Sequence, residues 1–458
     1  MSLDHLIKTA EHALSAALEA AAPEKVMAAS LANLDRPPSA IFALGKAAGP
    51  MAQACRDGGL DAKGVLISHD PALLSAQSVA GFETVIGGHP VPDENSMKGA
   101  RLMLDRAHGL GEDDHLLMLV SGGGSALMCL PADGLTLQDK IMINERLLAS
   151  GLDIHAMNAV RRFCSGIKGG RLARAASPAT ITQWVLSDVP PTGDELTDLS
   201  AIASGPMAAD PVPYEQMRDY LTAAGLDQLP QISSFLEDMA NRPGDQPLRP
   251  WDDEGEKVLA KVQTSILASN AICCTAAEKA LGGCNQPLPV LSGEAADMGR
   301  ALAQIALSSE RPVQAVTGGE TVVTFSQSQD TAGKGGRPQE LALAFLLAMS
   351  DLQGNDQKGN HPQQANTRPQ DWVLLAAGTD GRDGPTDAAG ALVHSGMLGG
   401  MLGGMPGGMP GGMNVDLAQG HDALQRHDSY PFLDELGALI RMPPTGTNLA
   451  DIAILLTA

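Results

Sequence analysis

The sequence predicts an α/β protein that folds into two domains. Short apolar runs, each about as long as a buried strand, alternate with segments whose apolar residues have helical spacing. This alternation is typical of mostly parallel sheets flanked by helices. A Pro- and Asp-rich stretch at 226–254 interrupts the pattern and indicates a domain boundary. We therefore expect domains over residues 1–245 and 255–458, each built on a mostly parallel sheet.

Each predicted element rests on a helical periodicity or on a short apolar run. In the first domain these are a helix over 4–32, strands at 40–44, 64–67 and 84–86, a helix over 94–108, a strand at 116–120, helices over 136–150 and 155–176, and a strand at 181–186. In the second they are a strand at 261–268, a helix over 271–282, a strand at 313–317, a hairpin-like segment at 321–325, a helix over 338–350 and a strand at 372–376. The polar segment 353–370 and the low-complexity Met/Gly repeat at 397–413 are expected to be loops, since the repeat is too rich in glycine for a stable helix or strand.

Composition and charge exclude several classes of protein. Hydrophobic residues make up 44% of the 458 residues, which is enough for packed cores and excludes a disordered chain. The net charge of −22 repels nucleic acid and anionic membranes, and 3% aromatic residues leave few platforms for stacking bases. Neither a signal peptide nor an apolar run of about 18 residues is present. Six cysteines, none in C-x-x-C spacing, indicate reduced thiols and a cytoplasmic protein.

Two glycine-rich loops of the first domain directly follow predicted strands. In the loop 121–127, consecutive glycines allow backbone N–H groups to point toward one anion, and a following helix adds its positive dipole end. Lys46 follows the strand at 40–44, at the end of a parallel strand where α/β sheets bind ligands. The alternatives are a tight strand-to-helix connection without ligand and a solvated turn lysine.

Two further loops lie in the second domain. The segment 317–321 and the segment 333–340 place cations in backbone that a ligand can approach closely, and arginine binds carboxylate or phosphate in a bidentate manner. The loop 378–387 carries three carboxylates among glycines, which suits Mg²⁺, and Asp188 is a further candidate for this acidic group. A surface hairpin and ordinary Asp-Gly turns remain the alternatives.

Several nucleotide-binding and catalytic motifs are absent. No G-x-G-x-x-G occurs, since Gly122 and Gly124 are followed by Leu127, so the dinucleotide fingerprint fails. The G-x-x-x-x-G-K-[ST] motif of Walker-type ATPases is missing as well. The nucleophile-elbow pattern around Ser125 lacks its final glycine. Anion-binding loops, cations and clustered carboxylates together suit phosphoryl transfer, in which catalysis is mostly positioning and charge neutralisation.

Taken in order, these motifs resemble the class II glycerate kinases, whose C-terminal domain is called MOFRL. The matching segments are 43–48, 88–94, 121–127, 158–162, 167–173, 186–189, 202–206, 317–321, 333–340, 378–390 and 444–448. The resemblance implies a Rossmann-like N-terminal domain, a MOFRL C-terminal domain and an active site in the cleft between them. It further implies phosphorylation of D-glycerate to 2-phosphoglycerate with ATP and Mg²⁺. The family pattern has a shorter connection where this sequence has 190–198, and a less biased segment where it has 397–413.

The resemblance also gives roles to individual residues. The catalytic set is Lys46, Arg337 and Asp188; the nucleotide-binding set is Ser121, Gly122, Gly123, Gly124, Ser125, Gly318, Gly319 and Lys334; the Mg²⁺ set is Asp188, Glu320 and Asp380. The last three either hold the metal or accept the hydroxyl proton. Lys46 and Arg337 neutralise phosphoryl and carboxylate charge. Ala at either position should therefore lower kcat about a hundredfold or more, or roughly 3 kcal/mol of barrier, with Tm near that of the parent protein. Lys168 and Arg171 are either pocket-lining or helix-surface cations.

Three other functions compete with this interpretation. The first is an NAD(P)H-dependent hydroxypyruvate reductase, a name given to some relatives but disfavoured by the missing dinucleotide fingerprint. The second is a kinase of a related small hydroxy acid, and the third is an anion-binding protein without turnover. The expected partners are therefore a small-molecule substrate and a nucleotide, with no nucleic acid and no membrane. The oligomeric state stays open, with a homodimer as one alternative.

Overall fold

The chain divides into two compact units. The structure is a computed structural model that describes residues 1–75, 78–188, 198–325, 333–357, 369–401 and 417–458. One unit, which we call the continuous unit, is Pro23–Ala268, and the other, the split unit, combines Met1–Ala22 with Ser269–Ala458. This division differs from the expected domains 1–245 and 255–458 in two places: the first helix belongs to the split unit, and the change of unit falls after residue 268.

The helices and strands alternate through most of the described residues. The strands are β1 (Ala40–Leu44), β2 (Lys63–Ser68), β3 (Phe82–Ile86), β4 (His115–Val120), β5 (Thr180–Ser187), β6 (Val262–Ser269), β7 (Gln314–Gly319), β8 (Trp372–Gly378), β9 (Gly390–His394), β10 (Leu439–Ile440) and β11 (Asp451–Thr457). The helices are α1 (Leu3–Ala20), α2 (Pro23–Leu31), α3 (Ala48–Asp57), α4 (Glu94–His108), α5 (Gly124–Leu127), α6 (Leu137–Ala149), α7 (Ile154–Phe163), α8 (Arg171–Ala176), α9 (Tyr214–Ala223), α10 (Pro230–Ala240), α11 (Asp253–Leu259), α12 (Asn270–Leu281), α13 (Ala295–Ser308), α14 (Arg337–Gln357), α15 (Ser395–Met401), α16 (Leu417–Gln425) and α17 (Ser429–Glu435). Short 3₁₀ turns occur at Pro71–Leu74, Ile202–Ser204 and Pro243–Asp245.

The continuous unit is built on a six-stranded sheet with the order β3-β2-β1-β4-β5-β6. Strands β1 to β5 pair in parallel, with Leu44 of β1 opposite Val120 of β4. Helices α3 and α4 pack on these strands, and β4 is buried along its whole length. The strand order reverses between β1 and β4, and α/β sheets bind ligands at the carboxyl ends of the strands at such a point. The predicted Rossmann-like architecture of this region is confirmed.

A helical layer beside this sheet contains α6, α7, α9 and α10, with Phe163 and Phe235 in edge-to-face contact at 5.6 Å between ring centroids. The single helix predicted over 155–176 is wrong, because the chain leaves the helix between α7 and α8. Gly169 and Gly170 have φ of 61° and 77°, a backbone conformation that interrupts a helix and that glycine adopts at little cost. Helical periodicity alone did not reveal this break.

The split unit has a five-stranded sheet with the order β10-β9-β8-β11-β7. Its described ladders are antiparallel, which corrects the expectation of a mostly parallel second sheet. The strand–helix–strand pattern of β7, α14 and β8 does set these two strands in the same direction. However, β11 lies between them and runs the opposite way, so neither hydrogen-bonds to the other. The α/β class itself is confirmed.

Helices cover both faces of this second sheet. Helices α13 and α14 pack together, and α14 shares a core with Trp372, Leu374 and Ala376 on one face of β8. Helices α1 and α12 form a second pair, and α1 contacts β8 and β11. Because β8 and β11 are buried along their whole length, their sequences are continuously apolar apart from the residues at their ends.

Four smaller predictions need comment. The helix predicted over 4–32 is two helices, since Pro23 starts a new one, and the segment 321–325 contains an isolated bridge at Val322 instead of a hairpin. The expected loop 397–413 begins inside α15, where buried Leu398 anchors the helix in the core. Residues 402–413 of the repeat, 190–197 of the long connection and 358–368 of the polar segment lie outside the described residues. In the part of the chain that the structure describes, no helix is long and apolar enough to span a bilayer.

Candidate active site

Three of the predicted site residues lie at the carboxyl ends of neighbouring parallel strands. Lys46 follows β1, Ser121 follows β4 and Asp188 follows β5. The register places the ends of these strands side by side in the order β1, β4, β5. The sheet therefore presents a cation, a glycine-rich loop and a carboxylate along one edge, at the reversal of strand order where a ligand is expected.

The turn that carries Lys46 is interlocked with the glycine-rich loop. The backbone N–H of Lys46 donates to Gly122 O at 2.9 Å, and Ser121 Oγ accepts from Ala47 N at 2.9 Å. Gly45 has φ of 119°, and a Cβ built on it would lie 2.3 Å from Ser121 Oγ. Only glycine allows the two segments to approach this closely, so the predicted proximity of Lys46 and the loop 121–125 has a steric basis in Gly45.

A histidine joins these two loops. A Cβ built on Gly123 would lie 3.1 Å from the ring of His89 and 3.3 Å from Lys46 Cγ, so both side chains cover this glycine. Burial and the nearby charges of Lys46 and His69 lower the pKa of His89 to about 4. His89 is therefore neutral at physiological pH, and Lys46 supplies the positive charge here.

Ser125, the last residue of the loop 121–125, forms hydrogen bonds with Ser204 and Lys168. Its hydroxyl lies 2.6 Å from Ser204 Oγ, and Lys168 Nζ donates to Ser125 O at 2.6 Å and to Ser125 Oγ at 3.0 Å. Ala203 and Ser204 have φ of 49° and 59°, in the left-handed region that non-glycine residues rarely adopt. Such backbone outliers cluster at functional sites. The pair lies in the matching segment 202–206 but was not among the predicted site residues.

Arg171 has a structural role. From the sequence it was expected to be either a pocket-lining or a helix-surface cation. It is buried, and its guanidinium donates to the main-chain carbonyls of Asp245, Arg162, Lys168 and Phe163. These bonds hold the chain between α7 and α8 in place. Lys168 lies beside Ser125, so it is the member of the pair that borders the candidate site.

In the split unit, Arg337 begins helix α14 between two carboxylates. It contacts Glu320 Oε1, and its Nη2 donates to Asp451 Oδ1 at 3.3 Å, with Nε also 3.3 Å from Asp451 Oδ2. Asp451 is only 4% exposed. Burial raises the pKa of Asp451 to about 7, and the Arg337 guanidinium opposes this rise. Asp451 was not among the predicted site residues, although an acidic residue that begins the apolar run of β11 is a recognisable signal.

Asp380 lies next to Asp451. A Cβ built on Gly378 would lie 3.3 Å from Asp380 Oδ1 and 3.6 Å from Asp451 Oδ1, so the two carboxylates meet over this glycine. Asp451 Oδ2 is buried and accepts no hydrogen bond in the described part of the chain. Asp383, from the same loop, accepts a bond from Gln339 N at 2.8 Å at the start of α14, and burial raises its pKa well above the usual value. The loop 378–387 thus contributes Asp380 to the candidate site, while its Asp383 caps the start of helix α14.

The remaining predicted nucleotide-binding residues have structural partners. Gly318 and Gly319 lie in β7, where a Cβ would come 1.8 Å from Asn270 Oδ1 and 2.3 Å from Leu291 O respectively. Lys334 Nζ lies 3.9 Å from the centre of the Tyr430 ring. Close packing therefore explains why glycine stands at both positions even if no ligand binds there. The lysine likewise already has a partner within the protein, through its cation–π contact. Their assignment to a nucleotide stays a prediction.

The donor set in the split unit suits a hard cation. Mg²⁺ binds through one or two carboxylates together with phosphate and water. Asp380 and Asp451 provide such a pair, since Asp451 Oδ2 accepts no hydrogen bond in the described residues and has only the Arg337 ion pair at 3.3 Å. In the described ranges, no group of three His, Cys, Asp or Glu side chains forms a ready metal cage. The predicted set of Asp188, Glu320 and Asp380 divides between the two units, with Asp188 in the continuous one.

Known proteins resemble this chain along almost its whole length. A family described as a domain of unknown function, DUF4147, matches residues 9–237, and the MOFRL family matches residues 313–451. A D-glycerate 2-kinase from Thermotoga maritima is 32% identical over 98% of both chains, and a glycerate 2-kinase from Pyrococcus horikoshii is 33% identical over 90% of this chain and 86% of its own. An Agrobacterium vitis protein with the provisional name hydroxypyruvate reductase is 34% identical over 96% of this chain and 92% of its own.

The fold comparison agrees with the sequence comparison. The crystal structure of glycerate kinase from Thermotoga maritima covers 99% of this chain and 100% of its own, with a TM-score of 0.76 at 30% sequence identity. Similarity of sequence and fold therefore extends over both units. The chain belongs to the family of glycerate kinases whose C-terminal domain is the MOFRL domain.

Proposed function

We propose that this protein transfers the γ-phosphoryl group of ATP to the 2-hydroxyl of D-glycerate in the presence of Mg²⁺. The observation that carries the proposal is the joining of Lys46 to the loop 121–125 at the reversal of strand order in a six-stranded α/β sheet. Relatives that align over nearly the whole chain are named as kinases of this acid. The arrangement provides N–H donors and one cation where an anion would bind.

In the continuous unit, Lys46 and the loop 121–125 act on phosphate. The turn is fixed by Gly45 and Ser121, so the lysine stem is held against Gly123 before any ligand arrives. A cation that is positioned in advance stabilises the developing charge of the transferring group without reorganisation. Neutral His89 adds no second charge and limits the space beside Lys46.

In the split unit, Arg337 is the anion-binding residue and Asp380 with Asp451 would hold Mg²⁺. The metal supplies charge neutralisation at the phosphate oxygens. Glu320 and Asp451 orient the guanidinium of Arg337 from two sides, so its fork is fixed before substrate binds. Asp188, at the end of β5, is proposed to accept the hydroxyl proton. A strong base is not required, since a loose transition state deprotonates its nucleophile late.

The competing reaction is the reduction of hydroxypyruvate with NAD(P)H. The name of the Agrobacterium relative and the Rossmann-like strand order favour it. However, the loop after β4 contains Ser-Gly-Gly-Gly-Ser and lacks the spacing of glycines that brings a helix start to a pyrophosphate. Phosphoryl transfer accounts for the cations and carboxylates at the strand ends, and reduction does not.

Phosphorus NMR of the purified protein with ATP, Mg²⁺ and D-glycerate tests the proposal. We expect a 2-phosphoglycerate resonance that is lost with EDTA and falls about a hundredfold in rate for Lys46→Ala. Lys98→Ala, which removes an exposed lysine of α4, is the matched control and should keep the parent rate. A 3-phosphoglycerate resonance would correct the position of transfer. No transfer, together with oxidation of NADH by hydroxypyruvate, would replace the proposal with the reductase.

A further inference from the structure

A small cavity in the continuous unit is lined by three cations and by no carboxylate. Its volume is about 190 Å³. The cations are Lys140, Arg161 and Lys168, and the other lining residues are Pro90, Pro92, Ser125, Ala126, Cys129, Ile143 and Asn144. In a chain with a net charge of −22, such a concentration of positive charge requires an explanation.

Each cation has only neutral partners among the described residues. Lys168 Nζ donates to the backbone oxygen and the hydroxyl of Ser125, and Lys140 Nζ donates to Arg161 O at 3.1 Å. Arg161 donates to the side-chain oxygens of Asn144 and Asn158. Lys140 and Lys168 are both less than a tenth exposed. The pocket therefore carries buried positive charge without a counter-charge from the part of the chain that the structure describes.

The fold is able to pair a buried cation where its role is structural. Arg162, next to Arg161 in the chain, donates to Asp210 at 2.8 Å, and Arg249 lies 3.2 Å from the same buried carboxylate. By contrast, burial and the charge of Lys140 lower the pKa of Lys168 to about 7, which is the sign of an ammonium that lacks an anion. Buried charges without partners are costly, so a site that keeps them is a functional candidate.

We propose that the pocket of Lys140, Arg161 and Lys168 binds the carboxylate of the small hydroxy acid that accepts the phosphoryl group. This inference rests on the proposed kinase function and names the residues that recognise its acceptor. The volume corresponds to about six water molecules at roughly 30 Å³ each, which suits a three-carbon acid and is too small to enclose a whole adenine nucleotide.

The position of the pocket fits this role. Ser125 belongs both to the pocket and to the loop 121–125, and Pro90 in its wall follows His89, which lies against Gly123. An acid held by Lys168 would therefore lie next to the loop that is proposed to bind phosphate. A larger cavity of about 940 Å³ in the same unit does not compete, since Glu94, Asp133 and Asp245 line it together with arginines.

Steady-state kinetics of Lys168→Met and Lys140→Met test the proposal. We expect KM for D-glycerate to rise at least about tenfold while KM for ATP stays within about twofold, since loss of a charged hydrogen bond weakens only the ligand that it contacts. Lys98→Met on α4 removes an exposed charge of the same unit and should change neither constant. An unchanged KM for D-glycerate in an active enzyme would overturn the pocket assignment and leave the kinase function standing.

Calorimetric titration with D-glycerate, and separately with inorganic phosphate, in the absence of nucleotide gives a readout independent of turnover. The parent protein should bind D-glycerate, and Lys168→Met should lose that binding and the increase in Tm that D-glycerate produces. Without ligand, Lys168→Met should be at least as stable as the parent, since an unpaired buried charge is removed. If that variant fails to fold, Arg161→Lys replaces it in the same titration. This change keeps the positive charge but removes the planar guanidinium, which can donate two hydrogen bonds to one carboxylate.

The outcomes separate the two proposals. Binding of D-glycerate that is lost in the variants, without phosphoryl transfer by the parent, would refute the kinase and keep the pocket. Binding of phosphate alone that is lost in the variants would overturn the assignment to a carboxylate. Turnover by the parent with equal D-glycerate affinity in the parent and Lys168→Met would refute the pocket only.

Discussion

Replacing Arg337 with Ala is expected to make the stability of the protein depend steeply on pH above neutrality. Asp451 is buried, the pKa of its carboxyl is raised by burial to about 7, and the guanidinium of Arg337 is what keeps that pKa from rising further. Without the guanidinium, the pKa of Asp451 in the folded protein moves above 7, while the unfolded chain keeps the ordinary value of 3.8.

The magnitude follows from proton linkage. Between the unfolded and folded pKa values the folded protein holds one proton more, so the free energy of unfolding falls by about 1.4 kcal/mol for each unit of rising pH. In the parent protein this loss ends near the folded pKa of about 7. In Arg337→Ala it continues, so the variant should lose up to about 1.4 kcal/mol relative to the parent between pH 7 and pH 8. Partial exposure of Arg337 to water makes this an upper value.

Urea unfolding followed by circular dichroism at pH 6, 7 and 8 measures this dependence. The double variant Arg337→Ala/Asp451→Asn should lose the additional slope, because asparagine does not titrate. Lys46→Ala should follow the parent at each pH. Equal slopes for the parent and Arg337→Ala, or an additional slope that persists in the double variant, would refute the reasoning. An unchanged Tm stays the prediction for Lys46→Ala, whereas for Arg337→Ala the buried partner Asp451 leads us to expect a lower Tm above pH 7.

Two further predictions concern the loops. Gly45→Ala should destabilise the protein by about 3 kcal/mol or more and reduce kcat, because its Cβ would overlap Ser121, whereas Gly59→Ala has φ of 83° and open space around it and should cost only about 1 kcal/mol. Thermal unfolding compares the two, and equal losses would contradict the steric argument. Replacing 402–413 with a shorter Gly-Ser linker should leave kcat within about twofold, while Leu398→Ala in α15 should cost about 2–3 kcal/mol of stability. A large loss of kcat in the linker variant would show instead that the repeat takes part in turnover.

Much of the fold could be predicted because its elements are either strictly apolar or clearly periodic. The predicted strand at 40–44 and helix over 94–108 have the observed bounds, and the latter is fixed by the Asp93 capping box. The antiparallel direction of the second sheet could not be predicted, since it depends on β11 inserting between β7 and β8. That insertion joins segments distant in the chain, and no local pattern encodes it.

Part of the candidate site could be predicted, because functional side chains that come directly after an apolar strand are recognisable in the sequence. The position of Lys46, Ser121 and Asp188 at strand ends was predicted because each of them follows an apolar run, directly or after one residue. The pairing of Arg337 with Asp451 was missed, because it joins α14 to β11 across the sheet. In the pocket of Lys140, Arg161 and Lys168, only Lys168 was named from the sequence, as one of two alternatives. The other two cations were missed, because burial and the absence of a counter-charge among the described residues are properties of the packed structure.

The division of the chain into a continuous and a split unit has a consequence for synthesis on the ribosome. Pro23–Ala268 can fold as one segment while translation proceeds, since its strands emerge in succession. The split unit must wait, because α1 is made before the continuous unit, whereas β11, which lies between β8 and β7, emerges after all the other strands of its sheet. During that interval the apolar face of α1 and the unpaired edges of β7 and β8 are exposed, so demand for chaperones should fall mainly on the split unit.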